Sequence, residues 1–200
     1  EVTQTYINGL LVAENGKSLL KSIGRMDGDP TDQPVTRDPK TVNNFSCEKK
    51  KPADFTYPAE YWRKQNKSFM TQLPPASEKT LLTIPVIEAL DGQLITNKTE
   101  TEIEEGAELL SSNTAKDILK IVVVNRYSNA PVAKAFIKNF GLKTGAIASS
   151  VAHDSHNIVA VGVDDESLCR AVNLVIHEKG GISCVSKEAE RVLALPVAGL

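Results

Sequence analysis

Five consecutive polar residues, His153, Asp154, Ser155, His156 and Asn157, lie between the small apolar run Ala146 to Ala152 and the β-branched run Ile158 to Val161. Two imidazoles and a carboxylate at this spacing can bind a divalent metal or move protons, provided that the chain turns there. On a strand His153 and His156 point to opposite faces, whereas in a tight or helical turn they share a side. Asp154 can then ligate, or hold a histidine tautomer from behind. The alternative is a bonded turn in which His153, Asp154 and Asn157 satisfy backbone groups, because polar groups between buried strands are costly when unpaired. A second cluster, Asn125 to Asn129 (NRYSN), follows the apolar run Ile118 to Val124. The sequence places it between the end of a central strand and the start of a helix, where ligands meet free N–H groups and the positive end of the helix dipole. Arg126 is either a ligand contact there or a surface arginine on a capped loop. Ser149 and Ser150 lack the G-x-S-x-G surroundings of a hydrolase nucleophile, Gly141 and Gly145 lack phosphate-loop spacing, and His177 reads as a favourable charge late in a helix.

The elements that would position these residues are legible in part. ILKIVVV, Ile118 to Val124, has the continuous apolar character of a central strand. Asn129 as cap, Pro131 in a first turn and Val132, Ala133, Phe136, Ile137 and Phe140 at helical spacing predict a helix that Gly141 stops. Asp164 predicts a second helix cap, with Asp165 and Glu166 in the first turn, Leu168, Val172, Val175 and Ile176 as the buried stripe and Gly180 as the stop. Ile182 to Val185 and Arg191 to Leu195 read as a terminal hairpin. Upstream, TLLTIPVIEA is a strand that Pro85 marks as an edge or bulge, Asp91-Gly92 turns it into QLITNKTE, and Glu102 to Leu110 is either strand or loop. Between Lys21 and Pro75 many prolines and charges break any period. Val42, Phe45, Phe55 and Tyr57, with Tyr61, Trp62 and Phe69 around a short helix, are the residues expected to dock it, and Lys49 to Lys51 read as solvated. Asn8-Gly9 and Asn15-Gly16 between apolar residues predict a small β-meander over residues 4 to 20.

Composition bounds the function. The chain has 200 residues, 41% hydrophobic, and a formal net charge of -2 from 23 basic and 25 acidic side chains. That balance gives no field for nucleic acid or an anionic membrane. No apolar run approaches the roughly 18 residues of a membrane span. Three cysteines, Cys47, Cys169 and Cys184, lack metal-type spacing; Cys169 and Cys184, in apolar surroundings, are expected to pack as small hydrophobes in a reducing cytoplasm. Triplets at Asn44, Asn66 and Asn97 match glycosylation acceptors only by chance on that reading. A start at Glu1 and an apolar end at Leu200 lead to the expectation of a fragment.

The segment GLKTGAIASSVAHDSHNIVAVG, Gly141 to Gly162, resembles the signature segment of the C-terminal domain of bacterial adenine deaminases, members of the amidohydrolase superfamily. The resemblance implies a parent that hydrolyses adenine to hypoxanthine and ammonia with metal-activated hydroxide, the metal being manganese or iron, or else zinc, held in a barrel domain by a His-x-His pair, two further histidines and an aspartate. This chain has three histidines and no His-x-His, so no metal ligand is expected in it and the fragment alone is expected to be inactive. The implied organisation is residues 1–20 as strands completing the barrel domain's small β-sandwich, 21–79 as a connecting segment and 80–200 as the C-terminal domain, an α/β (mixed α+β) fold with helices packed on a mixed sheet. Implied partners are adenine, the barrel domain and further copies in a homo-oligomer. Family members carry Glu-Arg-His where this chain has Asn125-Arg126-Tyr127, so only Arg126 carries over there. If the turn closes the active site, His153 and Asp154 are the expected catalytic contacts, and Arg126, Ser150, His156 and Asn157 the expected substrate contacts. Two other classes stay open: a stand-alone binding or assembly module, and a small metal hydrolase built on His153, Asp154 and His156.

Overall fold

The structure, a computed structural model, describes residues 3–7, 9–19, 43–65, 81–104, 108–153 and 155–200. Val42, Phe69, Asn8 and Asp154 therefore lie outside the described residues. The chain divides into two units, Glu1–Asp38 and Pro39–Leu200.

In the first unit β1 (Gln4–Ile7), β2 (Leu10–Glu14) and β3 (Lys17–Ser18) form the expected antiparallel meander. Asn15 and Gly16 both take positive φ, 47° and 74°, the conformation a two-residue hairpin turn requires. Of its described apolar side chains only Val12 is buried, while Tyr6, Ile7 and Leu10 are exposed.

The second unit is built on an eight-stranded sheet of order β11-β10-β8-β9-β6-β7-β4-β5. Its strands are β4 (Leu81–Ala89), β5 (Thr96–Glu104), β6 (Ile118–Val124), β7 (Ala133–Lys138), β8 (Ala146–Ser149), β9 (Ile158–Gly162), β10 (Gly181–Val185) and β11 (Glu190–Ala194). All neighbours are antiparallel except β4 and β7, so the sheet is mixed. The helices are α1 (Pro52–Phe55), α2 (Ala59–Gln65) and α3 (Asp165–His177).

One expectation fails outright. Residues 133–138 are strand β7, paired with β6 from Ile118↔Lys138 to Val123↔Ala133, and not part of a helix. Phe136 faces Tyr57 and Trp62 on one side of the sheet, and Ile137 faces Leu119 and Val161 on the other. A strand buried on both faces carries apolar residues in adjacent pairs, and such pairs four apart imitate a helical stripe. Pro85 also behaves differently from its edge-strand reading. β4 lies inside the sheet, but it meets β7 only at Ile87 and Glu88, so at Pro85 the side away from β5 has no ladder to disrupt.

Helix α3 follows its sequence signals. The Asp164 carboxylate accepts from Ser167 N–H at 2.7 Å, a cap worth about 1 kcal/mol. Leu168, Ala171, Val172 and Val175 are fully buried against Val122, Val124, Ala148, Ile158 and Ala160 of the sheet, each large side chain contributing about 1.5–3 kcal/mol relative to exposure. Ser183 Oγ donates to Ala171 O at 2.7 Å and ties β10 to the helix. The described part of the proline-rich connection is docked: Phe55 and Cys47 join the α3 core, and Tyr57, Ala59 and Trp62 cover Ile84, Val86 and Phe136. Tyr61 stays exposed. Cys184 corrects the expectation of apolar packing. It points to the outer face of β10 and is exposed, whereas Cys47 and Cys169 are buried. Lys50 corrects the solvated reading of Lys49 to Lys51, being buried with its ammonium on Asn129 Oδ1 at 2.7 Å.

Candidate functional site

Strands β8 and β9 pair directly, Ala146↔Gly162 to Ser149↔Val159, so residues 150 to 157 form their connection at one end of the sheet. The chain there is tightly turned: His156 N–H donates to Ala152 O at 2.7 Å, Ser155 N–H to His153 O at 3.1 Å, and His156 takes a positive φ of 50°. A left-handed conformation is uncommon for a residue with a side chain and persists when its surroundings hold it. His153 is exposed and His156 half-buried. Asp154 lies outside the described residues.

The NRYSN segment sits against this turn. Arg126 N–H donates to Asn157 Oδ1 at 3.3 Å, and Tyr127 Oη to Ser155 O at 3.1 Å. Asn125 Oδ1 accepts from the N–H groups of Tyr127 and Ser128 at 2.8 and 3.2 Å, an Asx turn that shapes the loop locally. Since β7 replaces the expected helix, no helix dipole acts at this loop, and that part of the sequence reading falls.

The Arg126 side chain, 5% exposed, turns inward. Its guanidinium lies 4.9 Å from the Tyr127 ring centre and 5.7 Å from that of Phe45, and Nη1 donates to Ala198 O at 2.8 Å. Cation–π contacts strengthen when desolvated. Gly199 takes φ 74°, a conformation that favours glycine, and a Cβ there would displace the Arg126 guanidinium, standing 2.3 Å from Nη1. Ser150 is fully buried beneath the same C-terminal turn, with its hydroxyl 2.6 Å from Gly199 O and accepting from Gly181 N–H at 2.8 Å. The structure thus brings Arg126, His156 and Asn157 together around one turn, and places Ser150 beneath it as a bonded core hydroxyl. Two buried nitrogens here, Arg126 Nε and His156 Nδ1, have no hydrogen-bond partner among the described residues. Beside the turn, Ile147, Val151, Ala152, Val159 and Ile182 line an apolar groove of about 330 Å³ on the sheet face away from α3.

The sequence reading missed Phe45 and the Ala198–Gly199 turn as partners of Arg126. The one available signal was the Ala-Gly pair near the end of the chain, since contacts this distant in sequence leave no periodicity. Among the described residues no three His, Cys, Asp or Glu side chains converge as metal donors.

Residues 93–200 match the family described as "Adenine deaminase C-terminal domain". The chain belongs to this family. It is similar over its whole length to adenine deaminases of Borreliella burgdorferi (39% identity), Sulfurovum sp. (42%) and Methanothermobacter thermautotrophicus (38%). It spans only 30%, 30% and 31% of the lengths of those relatives. The matched part of the adenine deaminase C-terminal domain runs from the β4–β5 turn to the C-terminal turn that Arg126 clasps, and so includes the whole β8–β9 connection.

Proposed function

We propose that this chain is the non-catalytic C-terminal portion of an adenine deaminase, and that its 80–200 domain covers the active site of a barrel domain. The whole enzyme hydrolyses adenine to hypoxanthine and ammonia in purine salvage, as a cytoplasmic homo-oligomer. Its divalent metal, manganese or iron or else zinc, supplies hydroxide near neutral pH. The described donors of this chain do not fit such an ion. Residues 1–20 complete the barrel domain's small β-sandwich and 21–79 connect the two parts. Similarity to adenine deaminases along the whole chain favours this reading over a stand-alone binding module.

The observation that carries the covering role is the turn itself. It is locked by Asn157 to Arg126 and by Ser155 to Tyr127, yet leaves His156 Nδ1 buried and without a partner among the described residues. A buried unpaired nitrogen costs about 1–3 kcal/mol, which a contact from substrate or from the barrel would remove. The apolar groove beside the turn offers the barrel a dry seat, and excluding water strengthens the polar contacts within a closed site. His153 and Asp154 act as contacts in closure, Arg126, His156 and Asn157 shape the substrate side, and Ser150 supports them from below. In the full-length enzyme, His153→Ala and Asp154→Asn are expected to lower kcat/KM about 10²-fold, the scale of lost positioning or proton transfer, with metal content unchanged. Turnover of adenine by both variants at the parent's rate reduces the cluster to a structural turn.

A further inference from the structure

Residues 48 to 61 and the entry to β7 border an open groove that the proposed function does not use. One part, about 700 Å³, is walled by Tyr57, Pro58, Tyr61 and Thr56, and the other, about 560 Å³, by Lys49, Lys50, Lys51 and Asn129. Ala53, Pro131, Val132 and Lys134 border both, so the two parts adjoin, and each has the size of a small-ligand site.

The halves differ in chemistry. Tyr57 is fixed by stacking on Phe136, ring centres 6.0 Å apart and planes 9° apart, and meets Tyr61 edge-on at 6.3 Å. Tyr61, 56% exposed, is thus held by its neighbour while its ring remains open. In the other half four lysines face two acids, Glu48 and Asp54. Asp54 Oδ2 already accepts from Lys51 N–H at 2.7 Å, and Glu48 Oε2 from Asn129 at 3.0 Å. The half-buried Lys134 ammonium makes no hydrogen bond or ion pair among the described residues. Of the two acids whose charge reaches it, Asp54 already accepts from Lys51 N–H and Asp165 is paired with Lys120. Burial first, then the neighbouring Lys120, lowers the Lys134 pKa, with Asp54 and Asp165 opposing. An anion at that point would relieve both penalties. The local excess of positive charge stands out in a chain of net charge -2.

We propose that this groove binds a planar aromatic ring carrying a phosphate, the ring against Tyr61 and the phosphate on Lys134, Lys49 and Lys51. Offset stacking on a fixed tyrosine suits the ring, and lysine ammoniums serve phosphate as point charges. An inorganic anion would use only the lysine half, and an acidic peptide would leave Tyr61 idle. Nucleoside monophosphates and flavin mononucleotide share the required chemistry. The site goes beyond the deaminase reading, and binding, not turnover, tests it.

The chain is titrated with AMP, GMP, flavin mononucleotide, adenosine, inorganic phosphate and hexaglutamate, followed by calorimetry and by the fluorescence of Trp62, its single tryptophan, which shares α2 with Tyr61. At least one ring phosphate is expected to bind at least ten-fold tighter than adenosine, inorganic phosphate or hexaglutamate. Comparing the nucleotides with flavin mononucleotide identifies the source. Tyr61→Ala, at an exposed position, and Lys134→Met are each expected to weaken binding ten-fold or more with unchanged thermal unfolding. Absence of saturable binding of every ring phosphate at millimolar concentration overturns the proposal. So does inorganic phosphate or hexaglutamate binding as tightly, or binding that neither substitution alters.

Discussion

At the scale of single residues, the three cysteines show how much of a side chain's chemistry comes from its face of a strand or helix. Cys47 and Cys169 are buried, and burial is the largest cause raising both thiol pKa values; Lys50 opposes it at Cys47, while Glu166 and Asp54 add to it at Cys169. Cys184 alternates outward on β10 and is exposed. A disulfide-exchange reagent near neutral pH is therefore expected to modify one thiol rapidly, with Cys184→Ser removing that reaction and the other two responding only on unfolding. Fast modification of two or more thiols in the folded chain contradicts the placement. The buried pair also sets a sign for alkaline stability. A thiol whose folded pKa is raised stabilises the fold fully below its unfolded value and loses that contribution as pH rises through the folded one. The melting temperature should thus be flat near neutrality and fall above about pH 9, the ordinary thiol value, less steeply in Cys47→Ala. Residue types alone could not divide the three thiols correctly, because exposure of Cys184 depends on strand register. Arg126 was recognisable from its place after the ILKIVVV run, but its partners Phe45 and Ala198 are 81 and 72 positions away (126 − 45 and 198 − 126).

At the scale of elements, the sequence was clearest where one face of an element is wet. Helix α3 has an apolar stripe, an acidic first turn and a capping Asp164, and all three signals agree. β7 has apolar neighbours on both faces, which erased the period of two and left a false helical pattern. The connection over 43–65 was expected to dock through Phe45, Phe55 and Tyr57 and to carry a short helix around Tyr61 and Trp62, and it does both. The surface it covers was not legible, because these residues are spaced by that surface and not by a repeat. Differences in burial and pairing should appear as differences in amide exchange. β6 is bonded to β7 on one side and β9 on the other, with Leu119, Val122 and Val124 buried. β1 to β3 bury only Val12, and short strands with so little apolar burial are marginal by themselves. Amides of β6 are expected to exchange orders of magnitude more slowly than those of Tyr6 to Val12. Equal protection of the two in a demonstrated monomer would show that the small sheet is independently stable.

At the scale of the whole molecule, the proposed reading turns on what this chain can and cannot supply to hydrolytic deamination. Hydrolytic deamination at a purine carbon needs hydroxide at neutral pH, and a metal supplies it by lowering the pKa of bound water to about 7. Holding such an ion at an open site takes about three protein ligands. This chain has three histidines in all, of which His177 is on α3, paired with Glu178 at 3.0 Å, and only His153 and His156 share a turn. Among the described residues no third donor joins them. What the domain does offer is a polar turn between two paired strands, braced by Asn157 and Tyr127 and bordered by an apolar groove, which on the proposed reading completes a site built elsewhere. The purified chain, supplied with adenine and with Mn²⁺, Fe²⁺ or Zn²⁺ in turn, is therefore expected to release no hypoxanthine or ammonia above the uncatalysed background. It should also retain none of these metals stoichiometrically after desalting. Turnover by the pure chain that His153→Ala removes would instead make the His153 to His156 turn a catalytic centre in its own right, with Asp154 its third ligand.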